Sequence, residues 1–300
     1  MEKPTYYHLC ADGADARNFV ISVEDFKAAL NLAGVCSFNS GVIVVCVSIE
    51  DSHPHFLLYG TEEKCLHFKR LYEQSYLHHV VSSRGSLDGV ELDMVMYEVC
   101  DVEYLMNAAA YIVVQPTKDG KRVMPYDYPW GSGSLYFRTG PYVPVWCFDN
   151  EGRIVEPLRI GDLTSRERRK ILYSRMNVPE GWLVCNGVLL PSNYVDIKRF
   201  ESIYRTHNCY RTFQSAGKKM DAVVQNRISE IKGVSLEDIE ARELCRQKCK
   251  EMYGVKDVRV IKSGQRLEVA RALRRGYNIS YRQLATLVRL PQSEVEKYVR

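Results

Sequence analysis

The sequence predicts an α+β fold: an RRM- or ferredoxin-like antiparallel sheet with helices on one face, then a mixed middle region and an all-helical C-terminal helix-turn-helix. Strand-like and helix-like segments alternate through the first 116 residues in the order βαββαβα. The longest apolar run, Val42 to Val47, has the length of a strand. From about Met220 onward, every segment has the pattern of a helix.

The first half of the predicted sandwich contains three strands and one helix. Tyr6 to Cys10 is a short strand, and Ser22 then caps a helix with Asp25 at the capping-box position. The β-branched run VIVVCVSI suits a buried strand. After the short turn at Asp51–Ser52, the segment HPHFLLYG is predicted as the third strand, and it forms a hairpin with VIVVCVSI.

The second half adds two helices and one strand. Thr61 begins a helix that reaches roughly to His79, and a strand follows near Glu91 to Val99. Asp101 caps the last helix. We expect Pro116 to end that helix, because proline disfavours the helical conformation of the preceding residue.

Three regions follow from this pattern. Residues 1–140 form a sheet domain, and residues 220–300 form a helical domain. Residues 141–219 form a middle or linker region, in which LTSRERRKILYSRM is the clearest helix; the sequence leaves its role open.

Charge is distributed unevenly along the chain. Residues 1–150 carry 11 Lys and Arg against 19 Asp and Glu, a balance of −8. Residues 151–240 carry 15 against 12, and residues 241–300 carry 15 against 6, a balance of +9. The basic end predicts a polyanionic partner, although a solvated helical face would have the same composition.

Composition excludes several other classes of protein. No window is apolar enough for a membrane span, and the N-terminus lacks the apolar core of a signal peptide. The ten cysteines contain no C-x-x-C pair, so neither a zinc ribbon nor a thioredoxin-like motif is indicated. This cysteine usage predicts a reducing, cytoplasmic location.

Two pairs of residues have spacings that suit chemistry. His53 and His55 lie two apart on a predicted strand, so both imidazoles face the same side and can bind one cation. Tyr111 and Gln115 lie four apart on the last predicted helix and share a face. Each pair has a structural alternative: surface histidines in the first case, a core aromatic and a helix end in the second.

Taken together, residues 5–138 resemble the HUH single-tyrosine transposases, most closely the REP-associated tyrosine transposase branch. The resemblance rests on the H-x-H of HPHFLLYG, on AAYIVVQP and on YDYPWGSGSLYF, in that order. The family commonly shows Y-I-H-x-N-P and D-Y-P-W-S-S at the last two places. Pro54 departs from the family, which prefers a bulky hydrophobe between the histidines.

The resemblance implies a mechanism and its components. His53, His55 and Gln115 would bind Mg²⁺ or Mn²⁺, and Tyr111 would attack single-stranded, hairpin-forming DNA to leave a 5′-phosphotyrosine. The enzyme would act as a monomer or homodimer in the bacterial cytoplasm or nucleoid, with no membrane partner. A domesticated, non-catalytic DNA-binding protein is the alternative function. An RRM-like RNA-binding module is the weaker third, because VIVVCVSI lacks stacking aromatics.

The C-terminal segment has the spacing of a trihelical helix-turn-helix that would bind duplex DNA. Its segments are GQRLEVARALRR, NISYRQLATLV and LPQSEVEKYVR. Val295 and Val299 are expected to pack inward. The alternative is a helical bundle for oligomerisation or bracing. The predicted DNA-binding residues are Arg271, Arg274, Arg275, Arg282, Gln292, Ser293 and Lys297.

Aromatic residues are concentrated in the segment that follows the last predicted helix. They could stack on unpaired bases, or they could anchor the loop to the core, and the sequence favours neither. These residues are Tyr126, Tyr128, Trp130 and Tyr136.

Overall fold

Four antiparallel strands form the main sheet. They are β1 (Thr5–Ala11), β2 (Ile43–Ile49), β3 (Pro54–Gly60) and β4 (Met94–Val99). Their order across the sheet is β2-β3-β1-β4, and every neighbouring pair is antiparallel. The fold is therefore mixed α+β, as predicted.

The structure is a computed structural model, and it describes most of the chain in two units. The described residues are 3–11, 18–87, 90, 92–118, 124–140, 143–149, 151–216, 223–224, 238–276, 279 and 281–299. The first unit spans Met1–Val224 and the second spans Gln225–Arg300. Residues 141–219 thus belong to the same compact unit as the main sheet.

Helices α1 (Val23–Ser40) and α2 (Glu62–Arg84) pack together over one face of the sheet. The ring of Phe56 in β3 lies 5.3 Å from that of Phe68 and 5.0 Å from that of Tyr72, measured between centroids. The Tyr72 hydroxyl donates to the carbonyl of Ala29 in α1. This face is the main apolar core of the sandwich.

Both helices begin at the predicted caps. The Ser22 hydroxyl accepts the backbone N–H of Asp25, and the Thr61 hydroxyl accepts that of Lys64. Helix α2 extends beyond its predicted end near His79 and stops at Gly85, which adopts the left-handed conformation that favours glycine.

Helix α3 (Val102–Lys118) covers the opposite face of the sheet, which differs from the prediction of helices on one face. Adjacent residues of a strand project to opposite faces. Phe56 contacts α2, whereas the neighbouring His55 lies 5.8 Å from the Tyr111 ring of α3. The β-branched run of β2 is apolar throughout because helices cover both of its faces.

Helix α3 also passes through Pro116, which was predicted to end it. The capping prediction is confirmed, since the Asp101 carboxylate accepts the backbone N–H of Tyr104. Proline removes one hydrogen bond from a helix and disfavours the turn before it. The helix continues because its apolar stretch, Ala108 to Val114, is buried against the sheet.

The segment that follows α3 pairs with the free edge of β2. The backbone N–H of Ile49 donates to the carbonyl of Trp130, and that of Ser132 donates to the carbonyl of Val47. The Tyr136 hydroxyl donates to the carbonyl of Val45. This pairing covers an edge that would otherwise expose unpaired backbone groups.

A second sheet and three α-helices follow in residues 151–216 of the first unit. The strands are β5 (Leu158–Arg159), β6 (Leu183–Cys185) and β7 (Val188–Leu189), and the helices are α4 (Ser165–Leu172), α5 (Ile197–Tyr204) and α6 (His207–Ser215). Helix α4 confirms the helix predicted in this region. The buried amide of Asn31 in α1 fastens these elements to the sandwich: it donates to the carbonyls of Ile171 and Gly187 and accepts the N–H of Leu189.

Four α-helices lie in the described part of the second unit. They are α7 (Asp238–Tyr253), α8 (Ser263–Gly276), α9 (Tyr281–Val288) and α10 (Gln292–Tyr298). Val295 and Val299 are fully buried in its apolar core, as predicted. Among the helices of the described residues, none has the length and apolar character needed to cross a bilayer.

Candidate metal centre and tyrosine site

The two predicted histidines lie together at the β2–β3 hairpin. Their ring centroids are 4.4 Å apart, and the backbone N–H of Glu50 donates to the carbonyl of His53. His53 precedes β3 and is half-buried, whereas His55 lies within β3 and is 2% exposed. The hairpin thus places one imidazole near the surface and one in the interior.

Pro54 fits the end of this hairpin. It is the first residue of β3 and pairs with Ile49 of β2, while the recorded pairing with β1 begins one residue later, at Cys10 and His55. Proline is tolerated at the first position of a strand, where no ladder hydrogen bond is required from its nitrogen. The residue therefore leaves the pairing of β3 intact.

Helix α3 brings the predicted tyrosine to the same place. The Tyr111 ring lies 5.8 Å from the His55 ring and 6.2 Å from the His8 ring, in edge-on orientations. Gln115 follows one turn later on α3, and both side chains are nearly buried, at 8% and 7% exposure. The ring of His55 therefore lies beside those of both His53 and Tyr111, while Gln115 is placed only by its position one helical turn after Tyr111.

Two residues that the sequence argument missed complete this cluster. Cys10 of β1 pairs with His55, and His8 lies two residues earlier on the same face of β1. Ligand atoms of His8, Cys10 and His55 lie within 4.8 Å of one another, and all three side chains are buried. This group could hold a metal ion. The H-x-C spacing in the first strand was the signal that could have found it.

The environment of His8 suits a metal ligand. Its Nδ1 lies 3.0 Å from the Tyr104 hydroxyl, whereas its buried Nε2 has no hydrogen-bond partner among the described residues. A hydrogen bond at one ring nitrogen orients the other toward a metal. Burial, together with the nearby His53, lowers the pKa of His8 to about 4, so the imidazole is neutral at pH 7, as coordination requires.

A buried carboxylate lies on the same face of the sheet. The Ser48 hydroxyl donates to Glu50 over 2.6 Å, and the Glu50 side chain is only 1% exposed. Ser48 lies opposite His55 in the pairing of β2 with β3. Ser48 and Glu50 therefore border the histidine cluster. The sequence argument did not single out either residue.

The aromatic segment beside the site acts mainly as an anchor. Tyr128 donates to the carbonyl of Ile49, Tyr136 is buried against Phe200, and the Trp130 ring stacks on that of Phe26 at 5.0 Å. Of the four aromatic residues singled out in the sequence, Tyr126 alone is exposed, at 57%. Three of them therefore have a structural role.

Several predicted DNA-binding residues of the second unit are held in internal contacts. Arg271 donates to the carbonyl of Tyr298, and Arg274 donates to that of Ile279 while its guanidinium stacks on Tyr281 at 3.7 Å. Gln292 donates to Glu296 on the same helix, and Ser293 and Lys297 are exposed. Arg275 and Arg282 lie on α8 and α9, but their side chains fall outside the described residues.

None of the ten cysteines forms a disulfide. The Cys10 thiol is thus a possible ligand, which agrees with the absence of a disulfide framework from the sequence. A thiolate and two imidazoles together are a donor set typical of zinc and other transition metals.

Comparisons of the chain with protein-family models, with curated proteins and with solved structures found no match in any of the three. The resemblance to HUH transposases therefore rests on the motifs, and the argument for function rests on the geometry of the site.

Proposed function

We propose that this protein is a metal-dependent single-stranded DNA endonuclease and strand transferase that forms a 5′-phosphotyrosine intermediate at hairpin-forming DNA repeats. The observation that carries the proposal is the convergence of His53, His55 and Tyr111 on one face of the sheet. They come from a hairpin and a helix that are far apart in sequence. The strand order β2-β3-β1-β4 supports an RRM- or ferredoxin-like assignment for the same region.

Two overlapping ligand sets are available for a divalent ion, and both contain His55. The family resemblance implies His53, His55 and Gln115. The geometry groups His55 instead with His8 and Cys10. Because nitrogen and sulfur donors favour zinc and similar metals while Mg²⁺ prefers oxygen, Zn²⁺ joins Mg²⁺ and Mn²⁺ as an ion to test. A bound ion would supply Lewis-acid polarisation of the scissile phosphate.

Tyr111 is the proposed nucleophile. Its phenolic oxygen would form a bond to phosphorus as the bond from phosphorus to the 3′-oxygen breaks. The phenol loses its proton and the 3′-oxygen leaves as a hydroxyl, so that the DNA becomes joined through its 5′-phosphate to Tyr111. Since the new linkage is a phosphodiester, a free 3′-hydroxyl can reverse the step and transfer the strand without ATP.

A non-catalytic DNA-binding protein is the second candidate function, and the burial of the site favours it. Tyr111 and His55 are 8% and 2% exposed, whereas a phosphate must reach both to be cleaved. In this alternative, the cluster stabilises the sandwich, and the second unit binds DNA. The succession of α8, α9 and α10 supports a helix-turn-helix there.

The decisive experiment measures covalent attachment of DNA to the protein. Labelled hairpin-bearing single strands from the flanks of the gene are incubated with the full-length protein and Mg²⁺, Mn²⁺ or Zn²⁺, and the products are separated on a denaturing protein gel. We expect a labelled adduct with the wild type and none with Tyr111→Phe or His55→Ala.

Tyr59→Phe provides the matched control. Tyr59 lies on the same face of β3 at the far end of the strand, and its ring contacts Arg199. This variant should form the adduct at the wild-type level. If the wild type forms no adduct with any of the three metals but still retards DNA on native gels, the non-catalytic function replaces the proposal.

A further inference from the structure

The second unit contains an open cavity of about 610 Å³ whose lining is strongly basic. It lies between α7, the connection from α7 to α8, and the end of α9. Its basic side chains are Arg242, Arg246, Lys256, Arg259 and Arg289. We call this cavity the basic groove.

The two acidic residues of the basic groove are paired with two of its arginines. Glu243 accepts a hydrogen bond from Arg246 over 3.1 Å. Asp257 accepts two from Arg259, over 3.0 and 2.7 Å, and these bonds lower the pKa of Asp257 to about 2. Each acidic residue of the groove is thus paired with an arginine, which leaves the groove with a positive excess.

That excess comes from Arg242, Lys256 and Arg289, which are all exposed. They stand on three different elements of the unit. Arg289 adopts a positive φ of 53°, directly after α9, and the chain turns there toward α10. The fold of the unit, rather than one charged helix, therefore brings these cations to one concave surface.

On the other predicted DNA-binding surface, two of the cations whose side chains are described are held in internal contacts. There, Arg271 and Arg274 donate to backbone carbonyls within the unit, and Glu294 and Glu296 add negative charge to α10. In the basic groove, by contrast, both acidic groups are paired with arginines of the groove, and three cations remain in excess.

We propose that the basic groove binds the phosphate backbone of duplex DNA. The inference rests on the proposed DNA-binding role of the second unit, and it assigns that role to residues which the sequence argument did not single out. Arg and Lys that neutralise phosphates release condensed counterions, so affinity is independent of sequence and falls steeply with salt. The groove would hold the protein on the duplex, while contacts to bases would come from elsewhere.

Fluorescence anisotropy of the full-length protein on a labelled duplex of about 20 base pairs tests the proposal. The groove variant is Arg242→Gln with Arg289→Gln. The control is Lys250→Gln with Lys262→Gln, which removes the same charge from exposed positions outside the groove. Thermal melting verifies that both variants fold.

We expect the groove variant to bind at least about tenfold more weakly between 50 and 200 mM salt, with a salt slope smaller by about 2, since each lost phosphate contact contributes about 0.9. The control should stay within about threefold of the wild type. Equal losses in the two variants would overturn the proposal, because the effect would then be one of net charge. Tighter binding to duplex RNA, with the same dependence on the groove, would overturn the assignment to DNA.

The assay separates this proposal from the nuclease. A wild type that forms the Tyr111 adduct but does not bind duplex DNA would overturn the basic groove and leave the nuclease standing. Groove-dependent duplex binding without any adduct would support the groove and overturn the nuclease.

Discussion

The two units of the chain differ in where they keep their reactive and charged groups. In the first unit, His8, His55 and Tyr111 are enclosed between the sheet and α3. In the second, Arg242, Lys256 and Arg289 are exposed around an open cavity. The first 150 residues have a net charge of −8 and the last 60 a net charge of +9.

This difference corresponds to two physical requirements. Cleavage of a phosphodiester is faster when polar and charged groups are held in fixed positions in a site with little water, because electrostatic interactions are strong there. Capture of DNA requires cations that remain in contact with solvent and exchange counterions for phosphates. If both proposals hold, DNA binding and DNA cleavage reside in different units, and the predictions below test the two units separately.

The largest expected effect is a complete separation of cleavage from binding. Tyr111→Phe should reduce covalent adduct by at least about 100-fold, because the phenolic oxygen is the proposed attacking group. Its Kd for duplex DNA should stay within about twofold of wild type, since no groove residue changes. Parallel adduct and anisotropy measurements on one preparation check this, and a joint loss would show that the two functions are not separable.

The next effect concerns the ion and distinguishes the two ligand sets. Cys10→Ser removes the thiolate while nearly preserving the side-chain volume, and Gln115→Ala removes the amide. If His8, Cys10 and His55 hold the ion, Cys10→Ser should weaken metal binding by about 10- to 100-fold and Gln115→Ala should have little effect. Metal content after dialysis, measured by mass spectrometry, checks this.

If instead Gln115→Ala weakens metal binding and Cys10→Ser has little effect, the ion is assigned to His53, His55 and Gln115. His55→Ala serves as the positive control, because His55 belongs to both sets and its loss should abolish retention in either case. A protein that retains no ion in any form would contradict the metal centre itself.

A third effect tests how far the fold of the first unit depends on the buried polar network around Asp25. The Asp25 carboxylate accepts hydrogen bonds from His79 and Arg84, both at 2.9 Å. Asp25→Asn removes the buried charge that His79 and Arg84 contact, so we expect a loss of about 3 kcal/mol in the free energy of unfolding. Asp149→Asn, at an exposed pair with Arg153, should cost much less, because solvent screens that pair. Urea denaturation compares the two variants.

The Asp25 carboxylate should also make the stability of the fold depend on pH. Burial alone would raise the pKa of Asp25, but the hydrogen bonds from His79 and Ser22 outweigh it and lower the pKa below its ordinary value. A lowered pKa in the folded state stabilises the fold above the unfolded-state pKa of about 4, and this contribution is lost as the pH falls through the folded-state pKa. The stability gap between wild type and Asp25→Asn should therefore narrow below about pH 4. If the difference in unfolding free energy between wild type and Asp25→Asn does not change with pH, the charge of Asp25 does not stabilise the fold.

Much of the first unit was predictable because local patterns determine it. Ser22, Thr61 and Asp101 cap the helices they were predicted to cap. The His53 and His55 spacing predicted neighbouring imidazoles, and the rings lie 4.4 Å apart. Such features depend on chain geometry over a few residues, which the sequence encodes directly.

Features that depend on contacts between distant residues were missed. The pairing of β1 with β3 brings Cys10 opposite His55, and no local pattern specifies that register. Pro116 remains in α3 because packing against the sheet outweighs its local preference. Likewise, the basic groove combines residues from three elements of the second unit, and the sequence shows these only as a general positive charge.

The smallest expected effect separates structural from DNA-binding arginines in the second unit. Arg271 donates to the carbonyl of Tyr298, so Arg271→Gln should lower the free energy of unfolding by about 1 kcal/mol and change duplex affinity by less than about twofold. Arg242→Gln should do the reverse, with unchanged stability and several-fold weaker binding. Chemical denaturation and anisotropy on both single variants check the pair. If Arg271→Gln weakens binding as much as Arg242→Gln does, the duplex also contacts the α8–α10 surface that the sequence predicted, and the basic groove is only part of a wider interface.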